Sequence, residues 1–130
     1  MKRIILDTNI IMAPAELHVD VYEELRRVCD FPYELWTVRP VMDELESLAH
    51  GDGKVARAAR TGITLMASKG VRILEGDAKV KNADEFILAI VQRDRDLVCT
   101  ADRGLRRALK ERGIPRIALR KRRVLEIRGQ

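Results

Sequence analysis

Four carboxylates, Asp7, Glu44, Asp84 and Asp102, each stand where a hydrophobic run gives way to polar residues. They are far apart in sequence. If the runs are strands of a parallel sheet, however, the ends of those strands lie along one edge and the four side chains converge there. Clustered acids repel one another and cannot all stay ionised in a dry site without a counter-charge. The usual relief is a hard divalent cation bound through oxygen, Mg²⁺ or Mn²⁺. Such a cation polarises a phosphoryl oxygen and acidifies bound water, and two of them about 4 Å apart stabilise both the attacking and the leaving oxygen. No His, Ser or Cys nucleophile is then needed. Hydrolysis of a phosphodiester leaving a 5′-phosphate and a 3′-hydroxyl is the expected chemistry.

Each acid also has a plainer explanation. Asp84 and Asp102 each precede or open a helical stretch and suit a helix N-cap. Glu44 sits with Asp43 and Glu46 and fits a solvated helix face. Asp7 is harder to explain away, because a charge directly after an apolar strand needs a partner. Four acids at equivalent topological positions carry more weight than any one of them. Asp94 and Asp96 precede a strand, at the wrong edge, and Glu85 adjoins Asp84 but points about 100° away on a helix. Thr8, Asn9, Thr100 and Glu85 are candidate supporting residues. Asn9 is placed to hydrogen-bond Asp7 and hold its rotamer, and Thr100 to contact a metal-bound water or a phosphate. The alternatives are turn formation for Thr8-Asn9 and strand propensity for Thr100.

The elements that must position these residues read as alternating strands and helices. Strands are expected over Arg3–Leu6, Glu34–Val38, Val71–Leu74, Leu97–Thr100 and Ile117–Leu119, with Asp7-Thr8-Asn9 ending the first. Apolar spacing predicts helices over Leu17–Val28, from Pro40 to Leu48, over Lys54–Ser68, Ala83–Gln92 and Asp102–Arg112. A polar loop is expected over residues 75–82, and Arg120 to Gln130 reads as a tail or a short edge strand. The alternation implies parallel crossovers and an α/β fold of three layers, α/β/α. One domain over residues 1–130 is expected, with a basic segment at 120–130.

Composition narrows the partners. The net charge of +5 is uneven: residues 101–130 hold eleven Lys and Arg against three acids, and residues 1–100 hold fourteen against seventeen. The acidic chemistry thus lies in the first part and a cationic surface in the last, which suits a polyanion. Arg103, Arg106, Arg107 and Lys110 recur at helical spacing beside Asp102, and Arg120, Lys121, Arg122 and Arg123 extend the positive field. Aromatic residues make up 4% and none lies among these cations. Backbone or shape recognition is therefore expected to outweigh base stacking. The Cys and His residues, Cys29, Cys99, His18 and His50, lack metal-ligand spacing and are expected to be free of zinc and disulfides. No run is long enough to span a bilayer, so membrane function is excluded and a cytoplasmic protein is expected.

Four segments, Leu6-Asp7-Thr8-Asn9, Val41-Met42-Asp43-Glu44-Leu45, Ala83-Asp84-Glu85-Phe86-Ile87 and Thr100-Ala101-Asp102-Arg103-Gly104-Leu105, resemble in order and spacing the four acidic motifs of PIN-domain ribonucleases. From Ala83 onward the chain is most similar to the archaeal relatives of the Fcf1/Utp24 rRNA-processing nucleases. The resemblance implies a central five-stranded parallel sheet of order 3-2-1-4-5, with Mg²⁺ or Mn²⁺ on Asp7, Glu44, Asp84 and Asp102. It implies an RNA substrate, a ribosomal RNA precursor, and a homodimer. Where that pattern has a second Asp in the third motif, this chain has Glu85. A VapC-type toxin, which would act with an antitoxin, is the alternative within the family. A non-catalytic RNA-binding module is the alternative outside enzymology, and the intact acids oppose it. A phosphatase with Asp7 as nucleophile is opposed by Asn9, which stands where its second acid would be.

Overall fold

The computed structural model describes residues 1–77, 79–80 and 82–130, and the polar loop expected over 75–82 lies in part outside them. In chain order the elements are β1 (Lys2–Leu6), α1 (Thr8–Leu17), α2 (Val21–Val28), β2 (Tyr33–Val38), α3 (Arg39–Ala49) and α4 (Gly53–Ser68). They continue with β3 (Arg72–Leu74), α5 (Ala83–Ile90), β4 (Asp96–Cys99), α6 (Arg103–Glu111), β5 (Arg116–Arg120) and β6 (Val124–Arg128). Among the described residues the strands form one sheet of order β3-β2-β1-β4-β5-β6. The first five are parallel neighbours, in the expected 3-2-1-4-5 order. β6 pairs antiparallel with β5, Ile117 opposite Ile127. The C-terminal stretch is therefore an edge strand, and the sheet has six strands where five were expected.

β1 is central and apolar on both faces: Ile4, Ile5 and Leu6 are fully buried, as a strand covered by helices on either side must be. The chain order reverses between β1 and β4, with Leu6 beside Cys99. That is the switch point at which α/β sheets open a ligand crevice.

One helix was not anticipated. Thr8-Asn9 is the start of α1 rather than a turn, and the helix expected from Leu17 begins instead at Val21. Two features hide α1. Pro14 lies inside it, where proline normally breaks a helix. Ile10, Ile11, Met12 and Ala13 are consecutive and all buried, so no polar face marks the period. α4 packs closely on α1 at Gly62, where an added Cβ would stand 2.8 Å from the Ile11 carbonyl oxygen. Cys29 and Cys99 are free and buried, as expected. Among the described residues no helix is long and apolar enough to cross a membrane.

Candidate active site

Asp7 is the single residue between β1 and α1 and forms the helix N-cap, its Oδ1 accepting from the Thr8 backbone N–H at 2.9 Å. Oδ2 accepts from the Thr100 hydroxyl at 2.6 Å and, at the long limit of 3.5 Å, from the Asn9 amide. The residue is only 5% exposed. Burial is the main influence and pushes its carboxyl above the ordinary range. The Thr100 and Thr8 hydrogen bonds oppose that shift, and the negative charge of Asp102 adds to it. Asp7 is thus a buried acid held by neutral donors.

The neighbouring loop is tied to it. Thr100 is fully buried, donates to Asp7, and accepts from the Asp102 backbone N–H at 3.0 Å. Its hydroxyl is engaged on both sides, so the expected contact to water or phosphate gives way to a structural role. Asn9 Oδ1 accepts from the Ala101 N–H at 3.0 Å. Together these bonds join the end of β1 to the end of β4. On the other side Thr37, buried on β2, donates to the Leu6 carbonyl at 2.7 Å. An isolated Thr in an apolar strand gave no sign of this in sequence.

Asp102 caps α6 through Oδ1, which accepts from the Leu105 N–H at 2.8 Å, and the residue is exposed. The plain capping explanation is therefore true of Asp102, but it occupies one oxygen and, among the described residues, leaves the second without a hydrogen bond. An added Cβ at Gly104 would stand 3.3 Å from that capping oxygen, so a side chain there would crowd the carboxylate. Glu44 lies exposed on α3, where its Oε2 accepts from the Thr8 hydroxyl at 3.1 Å.

Asp84 is the second residue of α5 and not its cap. Asn82 caps the helix, accepting from the Glu85 N–H at 3.1 Å. Half-buried, the Asp84 carboxyl is pushed up first by desolvation, then by the charges of Asp7, Asp102 and Glu44. All four expected acids therefore share one electrostatic environment at the carboxyl edge of the sheet. Glu85 is exposed and is not among the charges that shift Asp84. As placed, no three His, Cys, Asp or Glu side chains among the described residues stand close enough to hold an ion. The donor set is nonetheless all oxygen, and the Asp7 and Asp84 carboxyls, raised first by burial and further by neighbouring acids, are groups whose charged form a hard cation would favour.

Of the expected RNA-binding cations, Arg103, Arg107 and Lys110 are exposed on α6. Arg106 is half-buried, with its Nε enclosed and unpartnered among the described residues, so it is not a fully outward group. Arg120 ion-pairs with Glu126 at 2.8 Å across the hairpin. Lys121, Arg122 and Arg123 form the exposed β5–β6 turn. Asp96, set aside as lying at the wrong edge, is buried there against Arg3.

The family model described as a PIN like domain matches residues 4–122. A curated relative, ribonuclease VapC4 of Methanocaldococcus jannaschii, is 27% identical over 131 aligned residues, covering 99% of this chain and 98% of its own. A solved structure of the PIN domain endonuclease Utp24 superposes with a TM-score of 0.77 at 22% identity, covering 98% of this chain and 92% of that one. The fold similarity takes in the whole site edge.

Proposed function

Because the chain belongs to the PIN-like domain family, we propose that it is a divalent-metal-dependent endoribonuclease with Asp7, Glu44, Asp84 and Asp102 as its metal-holding acids. The observation that carries this reading is the hydrogen-bonded convergence at the carboxyl edge of the sheet, where Thr100 joins Asp7 to the Asp102 backbone and Thr8 joins Asp7 to Glu44. The Asp84 carboxyl there is pushed up first by desolvation and then by the charges of Asp7, Asp102 and Glu44. A bound Mg²⁺ or Mn²⁺ would supply the positive charge that activates water and polarises a phosphoryl oxygen. Asp7 is the fixed member of the set, oriented by Thr8, Thr100 and Asn9. Glu44 and Asp102 are the exposed members, on the side from which a substrate arrives. Thr100 and Asn9 act as positioning residues that keep the Asp7 and Asp102 loops in register. Glu85 is at most an accessory at the rim. Arg103, Arg107 and Lys110, with the turn at Lys121–Arg123, attract RNA and hold its phosphates by charge.

Within that activity the substrate is proposed to be a ribosomal RNA precursor, on the resemblance of residues 83–130, with a homodimer as the acting form. The toxin reading, with an antitoxin partner, is favoured by the full-length similarity to ribonuclease VapC4. Growth arrest on expression, relieved by Asp102→Asn, would favour the toxin. Cleavage confined to precursor ribosomal RNA would favour processing.

The test of the activity itself is cleavage of an end-labelled structured RNA with Mn²⁺, with EDTA, and by Asp102→Asn. Cleavage that needs Mn²⁺ and is lost in the variant supports the assignment. Undiminished turnover by Asp102→Asn overturns it.

A further inference from the structure

Beside the acidic centre lies a cleft of about 760 Å³, walled by α1, α4 and the β5–β6 turn. Asn9 and Ala101, the pair that ties the two catalytic loops together, line the cleft as well as the centre. The two spaces therefore share a wall. Around the cleft stand Lys54 and Arg57 from α4 and Arg122 from the turn, against one carboxylate, Glu16. Among the described residues none of these three cations is in an ion pair, whereas Arg120, two residues before Arg122, is paired with Glu126. Val55, one of the few large apolar side chains that is substantially exposed, at 49%, also faces this space.

Arg122 is held there at a conformational cost. Arg123 N–H donates to the Arg120 carbonyl at 3.0 Å, closing the turn, and both central residues are left-handed, Lys121 at φ 53° and Arg122 at φ 55°. Such turns ordinarily take Asn-Gly, because a Cβ is disfavoured in that region. Here two long cations occupy both positions. A turn required only to reverse the chain would not need them.

Resting on the nuclease reading above, we propose that this cleft is a subsite for single-stranded RNA flanking the scissile bond. It takes one or two nucleotides, with Lys54, Arg57 and Arg122 on the backbone phosphates and Val55 against the sugar or base. The volume is within the roughly 300–1,000 Å³ of small-ligand sites. Among the described residues no Phe, Trp or Tyr lines the cleft, which fits a strand held chiefly by its backbone, and His18 is the one ring on its wall. A strand lying there passes Asn9 and Ala101 directly into the acidic centre. The cleft also bears on what is cut: a space of about 760 Å³ takes one or two nucleotides of an unpaired strand and is too small for a duplex.

The test is binding of a fluorescein-labelled single-stranded RNA octamer to the full chain carrying Asp102→Asn, with KCl varied. The paired variant Lys54→Ala/Arg57→Ala is expected to bind about tenfold more weakly. It should also lower the slope of log Kd against log salt by about 1.4, at roughly 0.7 per phosphate on a single strand. A hairpin duplex should be affected far less. Arg122→Gly, which relaxes the turn while removing the cation, should give half the slope change with thermal stability equal to or above that of the wild type. Unchanged octamer affinity and slope in these variants would overturn the subsite and return the cleft to a protein partner. The nuclease reading is judged separately: wild-type cleavage with unaltered binding in the variants rejects the subsite alone. Loss of binding in the variants of a chain that never cleaves rejects the nuclease and keeps the cleft.

Discussion

Asp7 and Asp96 are buried aspartates at opposite ends of the same pair of central strands. Asp96, 1% exposed at the amino end of β4, accepts two bonds from Arg3, at 2.8 and 3.0 Å. It accepts further bonds from the Gln92 N–H at 2.9 Å and from Arg95 at 3.2 Å. Burial alone would raise its carboxyl, but the bonds from Arg3, Gln92 and Arg95 outweigh it and hold the group below the ordinary range. Asp7, at the carboxyl end of β1, is also buried, at 5% exposed, and among the described residues has only neutral donors, with the charge of Asp102 acting against it. One end of the sheet neutralises its buried charge, and the other leaves it in deficit. A paired buried charge serves the fold, whereas an unpaired one is a cost kept where a cation or a reaction needs it.

The two aspartates should differ most in activity. Asp7→Asn should lower RNA cleavage by about a thousandfold or more, roughly 4 kcal/mol of barrier, while circular dichroism stays that of the wild type. Asp96→Asn should leave the intrinsic cleavage rate of the folded fraction within about threefold. Comparable losses from the two variants would dissolve the distinction.

Stability should answer in the reverse order. Arg3→Met leaves Asp96 buried without its main cation and should cost about 3–5 kcal/mol in urea melts, the usual loss on breaking one side of a buried pair. Arg3 also lies over the Trp36 ring, 5.8 Å from its centroid, and loses that contact too. A loss under about 1 kcal/mol would mean that the Gln92 N–H and Arg95 suffice.

Acid titration separates the two by sign. The folded-state value of Asp96 is depressed, so its stabilisation is present above the unfolded value near 3.8 and is lost as pH falls through the folded value. That of Asp7 is raised, so its contribution is present below 3.8 and is lost as pH rises through the folded value. Asp96→Asn should therefore flatten the fall in stability below about pH 4, and Asp7→Asn should remove an opposing slope just above it. Urea midpoints measured from about pH 3 to about pH 6 would show both, and parallel curves for the two variants would contradict the assignment.

The same physical contrast explains what could be read from sequence. The acids were legible because each ends an apolar run, and a parallel sheet brings such ends together. Asp96 was set apart because it precedes its run. α1 was hidden by Pro14 and by burial on every side, which erases the polar face that periodicity needs. The β5–β6 turn was hidden because Lys121 and Arg122 occupy positions where Asn or Gly would have announced a hairpin. Arg106 was expected to face outward with its neighbours on α6, but a single helical position can turn an arginine partly into the protein, and spacing does not resolve that. The cleft was out of reach for a different reason. His18, Lys54, Arg57 and Arg122 come from the end of α1, the start of α4 and the turn, and no local pattern joins them.

The smallest expected effect is the most direct on the charge deficit. Asp84 feels desolvation and three acids, and no hydrogen bond holds its carboxylate among the described residues. Asp84→Asn removes one charge from the cluster and forfeits only a modest interaction with the α5 dipole. In EDTA it should raise Tm by about a degree, because solvent screens a partly exposed carboxylate and leaves only a few tenths of a kcal/mol. Wild-type protein should gain a comparable rise from millimolar Mn²⁺, by preferential binding to the folded chain, and the variant should gain much less. The two treatments relieve the same repulsion, so they should not add. Fully additive shifts would show that Mn²⁺ binds elsewhere and that the four acids are not one site.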